Sequence, residues 1–247
     1  MSNLKKIRLK DLENISKEKT DYSIIMKEVV GYKNPFRLRK IFEKKFKEAH
    51  YLISKAKKLS PKECKLNPES KIKIPEMIDI ISFKAMMELQ IHASDTTLDT
   101  SVYIAKYIAI ATFESNISNI LYDQESLHFQ NYVKRILEQP LEDMFALYYH
   151  LEKMVDESIE TWSRLFFEVE VNNPDYENAG GQRMNKFNVI TTIRKVCNDF
   201  NVEYDKAWHL PYGIVQTNNL SHATAAYIQN EMRIIKERKY KAKRGVE

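Results

Sequence analysis

Glycine is scarce in this chain: Gly31, Gly180, Gly181, Gly213 and Gly245 are its five, in 247 residues, against an average usage of about 7%. Phosphate-cradling loops, tight hairpin turns and doubly wound sheets all lean on glycine, so the shortage argues against them and for helices. Cysteine is nearly as rare. Cys64 and Cys197 lie far apart, with no Cys-x-x-Cys and no histidine cluster near either. That spacing excludes a disulfide framework and argues against a zinc site, leaving two reduced thiols. The opening residues MSNLKKIRLKDLEN are charged and lack an apolar h-region, which reads as a cytosolic rather than a secreted chain.

Uninterrupted apolar runs of about 20 residues, the length a membrane-spanning helix requires, are also missing. The nearest approach is Leu98 to Tyr122, LDTSVYIAKYIAIATFESNISNILY, whose only charges between Asp99 and Asp123 are Lys106 and Glu114. Its apolar residues point in nearly every direction of a helix, the pattern of a rod buried on all sides. Lys106 and Glu114 are two turns apart and predict one narrow face reaching water. With 43% hydrophobic and 30% charged residues, the chain has the composition of a folded protein. The expectation is an all-α, multi-helix bundle around a central helix at about 98–122.

Net charge is +5, but it is unevenly placed. Residues 1–75 carry a net +12, residues 76–230 a net −11 and residues 231–247 a net +4. Such asymmetry speaks to partners rather than to fold. It admits nucleic acid on the basic arm, an acidic protein there, or the arm folding onto the acidic body. The expected organisation is a basic helical arm (1–75), an acidic helical core (76–240) and a basic tail (241–247).

Along the chain, residues 1–20 form a basic lead with sparse apolar positions. Asn34 and Pro35 mark a helix start. The stripe from Phe36 to Lys58 is bordered by Arg37, Arg39, Lys40, Lys44 and Lys47. These cations are either a solvated face or a docking surface for an acidic partner. SPKECKLNPESKIKIP (60–75) reads as a connector. Helices are then expected from Ser82 as N-cap, over 127–137, over 141–169, from Met184 to a stop at Asn201, and from about Asn219 to Lys239. In that last helix Leu220, Ala223, Tyr227, Ile228, Met232 and Ile235 are expected inward. His92 to Thr100 reads as a polar turn.

Motifs with chemistry are sparse. Glu125 and His128 have Glu-x-x-His spacing, but helical di-iron sites need two such pairs and no second one exists. His-Glu-x-x-His, Gly-x-Ser-x-Gly and the P-loop are absent. No catalytic residue, cofactor or metal is assigned. His150 and His222 fall on expected helices and read as partly buried structural residues. WHLPY (208–212) is either an interaction knob presenting Trp208 and Tyr212 or a core corner with their polar atoms outward.

Three stretches in order carry a resemblance: KIPEMIDIISFKAMMELQ (73–90), IAKYIAIATFE (104–114) and FNVEYDKAWHLPYGIV (200–215). They resemble tail and baseplate assembly proteins of tailed bacteriophages, in particular the baseplate hub assembly catalysts of T-even phages. The resemblance covers about the last two thirds of the chain and leaves residues 1–75 unexplained. It implies a non-enzymatic, chaperone-like factor that holds a tail or hub subunit in the cytoplasm of the infected host. A connector or ring protein of the virion and a helical nucleic-acid-binding module are the alternatives. A homo-oligomer fits either phage reading, and no membrane partner is expected.

Overall fold

The computed structural model describes Arg8, Lys10 and residues 72–93, 99–117, 119–170, 183 and 186–244. The cationic helix expected at 36–58 and most of the 60–75 connector lie outside these. Among the described residues there is one 3-10 turn, Ile78–Ile80, and there are seven α-helices. These are α1 (Phe83–Ala93), α2 (Thr100–Asn116), α3 (Leu127–Leu137), α4 (Leu141–Glu168), α5 (Asn188–Phe200), α6 (Tyr204–Trp208) and α7 (Tyr212–Arg244). No strand occurs among them, as the glycine shortage predicts. The chain divides into two compact units inside α4, the first ending at Val155 and the second starting at Asp156.

The first unit is built on α2. It packs against α1 and α3, and Ile104, Ala105, Tyr107, Ile108, Ala109, Ile110, Ala111 and Phe113 are all buried. No broad face is left to water, as expected for the central rod. Its end is earlier than expected. The helix stops at Asn116, and Asn119 adopts a left-handed φ of 66°, a region that asparagine tolerates better than most residues. The polar SNISN patch is the cause, because asparagine and serine side chains compete for backbone groups. Tyr122, expected within the helix, is instead fully buried in the segment that follows.

The narrow face expected to reach water carries a further contact. Lys106 and Glu114 are half-buried, and Glu114 Oε2 accepts the Ser82 backbone N–H at 2.7 Å. A carboxylate therefore sits at the start of α1, where unpaired N–H groups favour negative charge. Ser82 is the N-cap, its Oγ accepting the Ala85 N–H at 3.2 Å.

The next two helices begin where the sequence places them, at Leu127 and Leu141. Ser126 caps α3 by accepting the Phe129 N–H at 3.2 Å. Pro140 ends that pattern and opens α4, its carbonyl accepting the Met144 N–H at 3.1 Å. Along α4, Leu141, Met144, Leu147, Leu151 and Val155 are buried. Past Val155 the same stripe is only half-buried, at Ile159, Trp162, Leu165 and Phe166. The stripe's spacing hides this change of environment.

In the second unit α5 packs on α6 and α7. Asn201 stops α5 in the left-handed conformation (φ 51°, ψ 47°), and the Val202 N–H bonds back to the Cys197 carbonyl at 3.1 Å. The expected start of the last helix near Asn219 is too late. Proline is tolerated at a helix start, and the Pro211 carbonyl accepts the Ile214 N–H at 3.0 Å and that of Val215 at 3.2 Å. Gly213 falls in the first turn and does not break the helix.

Candidate functional site

The second unit leaves much of its apolar surface uncovered. Its buried apolar residues are Ile193, Val196, Ala207, Tyr212 and Val215. Phe167, Phe187, Val189, Ile190, Phe200, Tyr204, Ile214, Ile228, Met232, Ile235 and Tyr240 are exposed. Phe167 is 77% exposed. A Val, Leu, Ile, Phe or Met side chain left in water forgoes about 1.5–3 kcal/mol of burial energy, so the arrangement favours a covering surface.

Helix α7 explains much of this. Gln216, Leu220, Ala223, Tyr227, Asn230 and Ile234 are half-buried, at steps of three and four. Ala225, Ile228, Met232 and Ile235 repeat the same steps and are exposed. At about 100° per residue the two stripes lie on nearly opposite sides of the helix. The inward set read from the sequence therefore mixed them. Leu220, Ala223 and Tyr227 belong to the half-buried side, whereas Ile228, Met232 and Ile235 belong to the exposed one. The six positions span too wide an arc for one face, and that signal was available in the sequence.

Beside α7 runs an apolar groove of about 590 Å³. Phe166, Phe167 and Val169 at the end of α4 form one wall and Ala223 and Ala226 of α7 the other, with Ser163 and Glu170 as its polar members. The two alanines make room for a large side chain between the helices.

Of the sequence-proposed partner residues, Arg37, Arg39, Lys40, Lys44 and Lys47 lie outside the described residues. Trp208 is half-buried, with its ring edge-on to Tyr204 at 6.3 Å. Tyr212 is 3% exposed, so its ring belongs to the interior of the unit and fits the corner reading. Part of the basic lead does meet acid. Arg8 and Lys10 contact the two Glu138 carboxylate oxygens at 2.5 and 2.6 Å, and the Lys10 N–H bonds to the Leu137 carbonyl at 3.1 Å. The Lys10 hydrogen bond, with that of Arg8, holds the Glu138 carboxyl below its usual range.

Two polar-aromatic clusters lie in the first unit. His92 is buried in the last turn of α1 rather than in a polar turn. It stacks on Tyr103 at 4.6 Å, and its Nε2 lies 2.9 Å from the Tyr103 carbonyl oxygen. Tyr107 and Tyr148 extend the cluster, and the Tyr148 hydroxyl donates to Glu152 at 2.7 Å. In the other cluster the Tyr122 hydroxyl donates to Glu88, and Tyr132 meets Thr112 at 3.0 Å. Thr112 gives its one hydroxyl proton to the Ile108 carbonyl, so Tyr132 is the donor. Burial pushes the Tyr132 phenol up to about 12 and, with neighbouring carboxylates, raises those of Tyr122 and Tyr148 further.

In the second unit His222, expected to be partly buried, is exposed. Its Nε2 lies 2.6 Å from Asp199 Oδ2, which also accepts from Asn218 at 2.8 Å. These bonds, His222 first, hold Asp199 below its usual range. The shifts of Tyr122, Tyr132, Tyr148, Glu138 and Asp199 each move the group away from neutral pH.

No group of three or more His, Cys, Asp or Glu that could hold a metal ion occurs among the described residues. No helix among them is long and apolar enough to cross a membrane. No protein-family model, curated protein or solved structure matches the chain.

Proposed function

We propose that this chain is a non-enzymatic assembly factor that grips another protein through the uncovered apolar surface of its second unit. The observation that carries this reading is the exposed seam of α7; Phe167 and the groove against Ala223 and Ala226 are further uncovered apolar surface of the same unit, on another side of that helix. Extended apolar surface left exposed and rimmed by polar residues is the usual mark of a protein-binding site. The resemblance of residues 73–90, 104–114 and 200–215 to tail and baseplate assembly proteins supplies the setting. The client is a tail or hub subunit of a tailed bacteriophage, held in the infected cytoplasm and then released.

Affinity capture with the tagged full chain from cells expressing the tail and baseplate subunits tests this. Co-purification of one such subunit, with the chain missing from purified virions by mass spectrometry, is the expected result. Recovery of nucleic acid alone would reject the reading.

A further inference from the structure

We infer that the outer face of α7 binds an acidic amphipathic helix of the client, a specification that rests on the protein-binding reading above. Ala225, Ile228, Met232 and Ile235 present the three-four spacing through which two helices interlock. Ile214, exposed on the same face, extends the seam to about 32 Å at 1.5 Å per residue. That is the reach of a helix of about six turns.

Charge fixes the chemistry of the occupant. Residues 212–230 hold no Lys, Arg, Asp or Glu, whereas residues 233–241 hold Arg233, Lys236, Arg238, Lys239 and Lys241. By helical position Lys236 borders the seam on one side, Arg238 on the other, and Lys239 continues it. All three are exposed. The local carboxylates are Glu231, at the border of the seam, and Glu237, which faces Arg233 at 3.7 Å. An apolar seam with a cationic second half suits a helix with Leu- or Ile-type anchors and Asp or Glu alongside them. A second copy in parallel would bring the two cationic halves together and be repelled.

The test uses the full chain and a fluorescein-labelled Leu/Glu heptad peptide of about 24 residues, followed by anisotropy over a salt series. Binding that weakens at least tenfold in M232E/I235E, and in K236E/K239E, is expected. K236E/K239E should in turn bind the Leu/Lys counterpart better than wild type does. Both pairs are exposed, and circular dichroism checks that the variants stay folded. Equal binding of a scrambled peptide, unchanged affinity in the variants, or failure of the peptide to bind would each overturn the assignment. So would preference for phosphatidylglycerol vesicles or a DNA duplex, or dimerisation through this face by sedimentation. If M232E/I235E still captures the tail subunit, the surface is wrong and the assembly role stands. If the peptide binds but no subunit is captured, the surface stands and the assembly role falls.

Discussion

Asn116 shows how much one side chain can organise. Its Oδ1 accepts the Lys73 N–H at 2.7 Å, while its Nδ2 donates to the Lys73 carbonyl at 2.8 Å and to the Thr112 carbonyl at 2.7 Å. The amide thus pairs with Lys73 as a neighbouring strand would, at the point where α2 ends. Asn116→Ala removes all three bonds. At about 0.5–1.5 kcal/mol each, the expected loss in urea unfolding is about 1.5–4.5 kcal/mol, with rescue by no aliphatic residue. A loss below about 0.5 kcal/mol would show that the clasp is ornamental. The sequence announced a polar interruption here but not its partner, because Lys73 is 43 residues away. Single-residue signals that act locally were legible, as at Ser82 and Asn201. Those that act at a distance, such as Glu114 on Ser82 or Tyr132 on Thr112, were not.

At the scale of elements, α2 and α7 make opposite demands on the sequence. In α2 apolar residues on every side mean burial on every side, and the reading transfers directly into the structure. Ala105, Ala109 and Ala111 are fully buried, so their neighbours approach closely. Ala109→Leu is expected to overpack this seam and cost about 1–3 kcal/mol by thermal or denaturant unfolding. A neutral result would mean that the surroundings of α2 can yield. In α7 the same abundance of apolar residues means two separate stripes, and a single-face reading merges them. The candidate site was legible as composition but not as orientation, since periodicity alone does not say which stripe has a partner within the fold. Proline misled at Pro211, where it opens α7 at Tyr212 rather than near Asn219 as the sequence suggested; at Pro140 the helix begins directly after it, as read.

Across the whole molecule, stability should be uneven. The first unit buries most of the apolar residues that are buried at all, and the second exposes more large apolar side chains than it buries. Amides that open only with deep burial around them exchange most slowly. Hydrogen exchange of the full chain is therefore expected to show greatest protection in α2 and faster exchange in α7 after Ala225. Addition of a bound client should slow the latter selectively. Uniform protection across the two helices would contradict that gradient. The division at Val155 was not visible in the sequence, because the helical repeat of α4 runs through it unchanged.

The clasp between Asn116 and Lys73 also has a mechanical side. Tension on the polypeptide ahead of Ile72 would not be taken up by the short apolar lead alone. It would pass through one amide into the carbonyl of Thr112, and so into the best-buried rod of the protein. A tether fastened upstream would thus be moored to the keel of the first unit rather than to its planking.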